Sequence, residues 1–120
     1  MPDILNKKQL GQAMEQKACD LLLAKGLYLI TKNYYCPFGE IDLIMQDGNE
    51  IVFIEVRFRT HSDYGNAIES INYTKQQKLL KSATHYLQKN GLIDNIDCRF
   101  DVIGFSNSKI EWIKDAFSYE

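Results

Sequence analysis

The chain has few cysteines and no long apolar run, and both shortages narrow what it can be. Cys19, Cys36 and Cys98 are odd in number and widely spaced. They fit neither a disulfide framework nor zinc-ligand spacing, so they read as reduced thiols of a cytoplasmic protein, with Cys19 and Cys98 semi-buried. No segment approaches the ~20 apolar residues of a membrane-spanning helix, and residues 1–8 carry no apolar stretch suited to a signal peptide. Internal repeats, low-complexity tracts and linkers are also missing. Neither sign of charge dominates. The 14 Lys and Arg against 16 Asp and Glu leave a net −2, which argues mildly against an indiscriminate nucleic-acid coat protein. A nuclease stays open, because the footprint that matters there is local. What remains is ordinary for a globular chain: 120 residues, 45% hydrophobic and 25% charged, enough for one domain over residues 1–120 with a real core.

Against this plain background one stretch stands out. Gly39-Glu40-Ile41-Asp42-Leu43-Ile44 and Phe53-Ile54-Glu55-Val56-Arg57-Phe58-Arg59 read as two strands, and Asp47-Gly48 between them is a strong hairpin signal. With Asp47-Gly48 as the two-residue loop, Asp42 opposes Phe53 and Glu40 opposes Glu55. Asp42 and Glu55 then become diagonal neighbours on one face, about 7–8 Å apart at the backbone. A slip of one residue would part them. Clustered carboxylates destabilise a sheet unless a raised pKa, a basic neighbour or a bound cation compensates. Mg²⁺ suits such a pair, because it takes one or two protein carboxylates and keeps waters and substrate phosphate as its other ligands. Glu55, Arg57 and Arg59 alternate and share a face, whereas Ile54, Val56 and Phe58 point toward the core. A metal-binding acid beside a fixed cation is a workable layout for phosphodiester hydrolysis. The other reading is an exposed strand with ordinary surface ion pairs.

The rest of the chain frames this hairpin. Residues 8–25 read as a helix with Leu10, Met14, Ala18 and Leu21 on its apolar face and Gly26 as its stop. Glu15 lies at the edge of that face, either a surface residue or a third acid leaning toward the hairpin. Residues 27–35 suggest a strand. Residues 60–73 form a long polar connection, a substrate-facing loop or a passive crossover. Residues 75–90 read as a second helix with Thr74 and Gln77 at capping-box spacing. Its apolar face is Leu79, Leu80, Ala83, Tyr86 and Leu87. Lys75, Lys78, Lys81, His85 and Lys89 gather on the opposite arc with no acid among them, a stripe that could track phosphates or simply be solvated. Lys75 and Lys78, at the helix start, are the functional candidates. Residues 97–105 make another strand, in which Asp101 pairs with a cation such as Arg99. Residues 109–113, with Trp112, suggest a short edge strand. The expected fold is α/β with order αβββαβ: an antiparallel three-strand meander plus a parallel strand reached by a helical crossover.

Taken together, residues 33–44, 53–59, 75–79 and 99–103 resemble the YraN-like bacterial proteins, which are similar to Holliday-junction resolvases of the PD-(D/E)XK nuclease superfamily. The resemblance covers nearly the whole chain. It implies a restriction-endonuclease-like core, with Asp42 and Glu55 as metal-binding acids for Mg²⁺ or Mn²⁺. Glu15 matches the acid that many relatives carry on the first helix, and Glu40 belongs to the motif without a settled role. Arg57 departs from the superfamily pattern, which has lysine there. Arginine stays protonated and cannot act as a base, although it can hold a phosphate bidentately. The lysine would then come from elsewhere, with Lys75 the nearest candidate. Tyr35 replaces an arginine common in relatives.

The expectation is a divalent-metal-dependent endonuclease acting on branched or non-standard DNA. In it, Asp42, Glu55 and Glu15 hold the metal, Arg57 and Lys75 serve catalysis, and Arg57, Arg59, Lys75 and Lys78 contact nucleic acid. A homodimer would suit junction cutting. The competitor is a nucleic-acid-binding module with a nuclease fold and no turnover. A weaker third reading is a protein-interaction domain using the sheet edge near Trp112.

Overall fold

Asn6 opens the first helix, α1 (Lys7–Ala24). Its side chain accepts from Gln9 N–H at 2.8 Å while the Gln9 side chain accepts from Asn6 N–H at 3.1 Å, a capping box. Gly26, at φ 98°, ends it. Leu27 N–H reaches back to the Leu22 carbonyl and Gly26 N–H to that of Leu23, the two bonds of a Schellman stop. In this computed structural model, which describes residues 6–59, 71–106 and 109–119 (Arg59 by its backbone alone), six further elements follow. They are β1 (Tyr28–Cys36), β2 (Gly39–Asp47), β3 (Glu50–Arg59), α2 (Tyr73–Lys89), β4 (Asp97–Ser106) and β5 (Lys109–Phe117).

The strands form one five-stranded sheet in the order β1-β2-β3-β4-β5. Only β3 and β4 pair in parallel, because α2 carries the chain back between them; the other neighbours are antiparallel. This is the expected α/β fold, compatible with a restriction-endonuclease-like core. The last strand is longer than foreseen, nine residues paired along most of β4.

Alternation along β3 sends Ile51 and Phe53 to a core under α2, and Val52 and Ile54 to a second core under α1. The two helices therefore cover opposite faces. On α1 the buried residues are Ala18, Cys19 and Leu22. That face is rotated slightly from the expected one, and helical spacing puts half-buried Glu15 on it. The five apolar residues expected on α2 are all buried. Phe58, read as core, is 44% exposed, because α1 does not cover the far end of β3.

Two local expectations are corrected. The hairpin loop is Gly48-Asn49, since Asp47 pairs with Glu50. Gly48 takes φ 61° at the first central position, where a type II′ turn needs glycine. α2 is capped by Asn72, whose side chain accepts from Lys75 N–H at 2.8 Å, so Thr74 falls inside the first turn. His85 keeps its place on the lysine arc by helical spacing, between Lys81 and Lys78. It is half-buried, with Nδ1 2.6 Å from the Tyr34 hydroxyl. Most of the 60–73 connection lies outside the described residues.

At the hairpin's turn end, a polar cluster ties four strands together. Arg99 contacts Asp101 at 3.0 Å, Glu50 at 2.8 Å and Asp47 at 3.0 Å. Asp101 is buried and also accepts from Trp112 Nε1–H and Asp115 N–H, both at 2.9 Å. The expected Asp101–Arg99 pairing is thus present and structural. Removing one partner of a buried pair strands a charge. Arg99→Ala should cost about 3 kcal/mol of stability, read as a lowered urea midpoint; a midpoint matching the wild type would refute it.

Candidate active site

Strands β2 and β3 pair from their turn up to Leu43 and Ile54. Continuing that register by one step sets Asp42 opposite Glu55. Here a side chain enters the ladder: Asp42 Oδ2 accepts from Val56 N–H at 2.8 Å. The two acids face each other directly rather than diagonally. Moving the turn by one residue changed the pairing by two positions, which preserves the face. Glu40 does not oppose Glu55 but pairs with Tyr35 on the β1 side.

The fork arises from a reversal of face in β1. Lys32 bonds Gln16 of α1, whereas the Tyr34 ring meets Tyr86 of α2 edge-on at 5.3 Å. Two residues apart in an undisturbed strand, they would share a face. Asn33 between them adopts φ 51° and turns the strand over. Asparagine tolerates this left-handed conformation better than most residues. The opposing strand follows: Leu43 joins the α1 core, while Ile41 and Ile44 both join the α2 core. Asp42 sits at this changeover, within reach of acids from both sides of the sheet.

Asp42 is 8% and Glu55 5% exposed. Burial, and then the Glu55 carboxylate beside it, push the Asp42 pKa up to about 8. Two cations flank the pair. Lys75 Nζ and Arg57 Nη1 each lie 3.5 Å from Glu55 Oε2. The Asn72 cap fixes the first turn of α2, so Lys75 is delivered from a helix to a strand residue twenty positions earlier. Lys78 is exposed one turn further along, and the Arg59 side chain lies outside the described residues.

Glu15 approaches from the α1 side. Asn33 Nδ2 donates to Glu15 Oε1 at 2.9 Å and to Glu40 Oε2 at 3.0 Å, clamping both acids. Burial raises the Glu15 pKa, the Asn33 hydrogen bond opposes this, and the Asp42 and Glu40 charges add to the rise. Of the two sequence readings of Glu15, the structure takes the one that leans toward the hairpin. Among the described residues no three His, Cys, Asp or Glu side chains close around a single point that could hold a metal ion. Asp42 and Glu55 are thus the facing pair, and Glu15 is an outer acid held by Asn33. Tyr35 is 73% exposed, and the Glu40 carboxylate raises its hydroxyl pKa.

The sequence reading did not single out Asn33. Its only signal was an asparagine inside an aromatic and β-branched strand, where a left-handed residue is the natural suspicion. The structure brings Glu15, Asp42, Glu55, Arg57 and Lys75 together. It leaves Glu40 beside Asn33 and Lys78 on the rim.

Comparison with known proteins agrees with this layout in extent. A family model described as the uncharacterised protein family UPF0102 matches residues 14–105, from the middle of α1 through nearly all of β4. The chain is 49% identical over 114 residues to a UPF0102 protein of Nitrosococcus oceani, covering 92% of each chain. It is 51% identical over 117 residues to one of Enterobacter sp. strain 638, covering 97% of this chain and 89% of the relative. It is 48% identical over 118 residues to the UPF0102 protein YraN of Escherichia coli O1:K1, covering 98% and 90%. The chain belongs to the UPF0102 family, the YraN-like proteins.

Proposed function

We propose that the β2–β3 fork is the active site of a divalent-metal-dependent nuclease that hydrolyses phosphodiester bonds in branched or otherwise non-standard DNA. One observation carries the reading: two buried carboxylates, Asp42 and Glu55, face each other with Lys75 and Arg57 at 3.5 Å. Burying two carboxylates side by side is costly, and a bound cation would offset that cost.

The donor set fits a hard cation. Val56 N–H occupies Asp42 Oδ2, which leaves Oδ1 for a ligand, and Glu55 contributes further oxygens. Two carboxylates without a third suit Mg²⁺ or Mn²⁺ better than a caged ion, because Mg²⁺ keeps several waters and substrate oxygens in its shell. When bound, the metal would supply Lewis acidity at the phosphate and a lowered pKa for the attacking water. The chain's own residues do the rest. Asp42 and Glu55 would hold the cation. Glu15, through Asn33, fixes the acidic wall. Arg57, permanently charged, binds the scissile phosphate and offsets its developing charge. Lys75 orients the attacking water against Glu55, the task that lysine on β3 performs in the superfamily pattern.

Arg57 also motivates the second reading, a binding module without turnover. Calorimetric titration of Mg²⁺ and Mn²⁺ into wild type and Glu55→Gln, with a gel assay on four-way-junction, flapped and single-stranded DNA, separates the two. Metal binding and cleavage in the wild type, both lost in the variant, are expected. DNA binding with neither metal affinity nor cleavage would leave the binding module.

A further inference from the structure

On the α2 side, away from the carboxylate pair, the solvent side of α2 forms one wall of an open groove of about 1090 Å³. Phe38 at the β1–β2 turn and the end of β5 with the residues after it, Asp115 to Tyr119, complete its lining. From Tyr73 to Gln88, α2 runs along it for about 22 Å at the rise of an α-helix.

Its lining combines two features. Three aromatic side chains show their rings to solvent: Tyr73 is 74%, Phe38 46% and Tyr119 46% exposed. Phe38 and Tyr119 are held by neighbours. Phe38 meets the His85 ring edge-on at 6.2 Å, and the Tyr119 hydroxyl donates to the Leu80 carbonyl at 3.0 Å and lies 2.9 Å from Thr84 Oγ1. Charge is the second feature. α2 carries Lys75, Lys78, Lys81 and Lys89 and no acid, and Lys81 lines the groove itself. Among the described lining residues Asp115 is the one acid.

Fixed aromatic faces beside a lysine row suit one kind of occupant: a strand whose bases are unpaired. Bases stack on rings, and phosphates track cations. A duplex offers no free base faces. A small molecule would leave most of an open groove this long unfilled. We infer that this groove binds single-stranded nucleic acid, with bases on Phe38 and Tyr73 and phosphate on Lys81. Tyr73 opens both the groove and α2, two residues before Lys75 but on the other side of the helix, so a strand held there would reach the proposed active site by passing around the start of α2. That positioning role rests on the nuclease reading; the binding itself does not.

The test is fluorescence anisotropy with a labelled twelve-nucleotide oligo-dT and a duplex of equal length, in EDTA so that cleavage plays no part. The wild type should bind the single strand more tightly than the duplex. Phe38→Ala and Tyr73→Ala, both at exposed positions, should each weaken oligo-dT binding roughly 5- to 100-fold while leaving duplex binding within about twofold. Lys81→Ala should lower the salt-dependence slope for oligo-dT by about 0.7. Unchanged oligo-dT affinity in both aromatic variants, or no preference for the single strand, overturns the groove. Asp42→Ala must keep oligo-dT binding. Cleavage by a wild type whose aromatic variants bind normally would refute the groove and spare the nuclease, and groove-dependent binding without any cleavage would do the reverse.

Discussion

Asp42→Asn is expected to stabilise the metal-free protein and to abolish metal-dependent cleavage. The sign follows from the pKa. Burial and Glu55 hold the Asp42 carboxyl at about 8, above its ordinary 3.8. Between those values the folded state keeps a proton that the unfolded state has released. Stability therefore falls as pH rises from about 4 to about 8, by an amount on the order of a few kcal/mol. Asparagine preserves the acceptor for Val56 N–H and removes the charge, so this pH-dependent loss should disappear. Mg²⁺ should offset the same loss in the wild type by binding the ionised pair. Urea midpoints of the metal-free proteins across this pH range, with and without Mg²⁺, give the comparison. A variant that follows the wild-type pH curve, or that still cuts DNA, would remove Asp42 from the proposed site.

Lys75→Ala should lower the cleavage rate about 10²- to 10³-fold, the usual scale for losing one charged stabilising group from a preorganised site. The fold should survive, since the Lys75 side chain is 37% exposed. A gain-of-function arm sharpens the claim. If α2 supplies the lysine that β3 lacks, Arg57→Lys in the Lys75→Ala background should recover part of the lost rate. A Lys75→Ala enzyme with wild-type turnover would show that the water is oriented without it. Recovery absent from the double variant would assign Lys75 a task tied to its own position on α2.

Much of this site was legible before any coordinates. Asp42 and Glu55 were paired from a hairpin signal and from period-2 alternation, and the pairing survived a misplaced turn because the error moved the register by two. The helices were legible because their apolar residues recur at helical spacing and glycines follow them. Other features were not. Glu15 could be read two ways, since its position on the edge of an apolar face says nothing about which strand passes beneath. His85 stands on the lysine arc as read, but its contact with Tyr34 was not legible, because Tyr34 is distant in sequence and turns toward α2 only through Asn33.

The sequence by itself determined the order of elements, the two apolar helix faces, the parallel return through α2 and the family's acidic hairpin. These depend on periodicity and on short-range turn and cap chemistry, which act among residues a few positions apart. Tertiary structure alone decided that Asn33 reverses β1 and clamps Glu15 to Glu40, and that Asp42 enters the ladder in place of a backbone carbonyl. It also decided that Lys75 reaches Glu55 from the next helix and that Phe38 and Tyr119 wall a groove on α2. Each of these contacts joins elements through a sheet that must pair first, and burial then sets the charge state of Asp42, which no local pattern encodes.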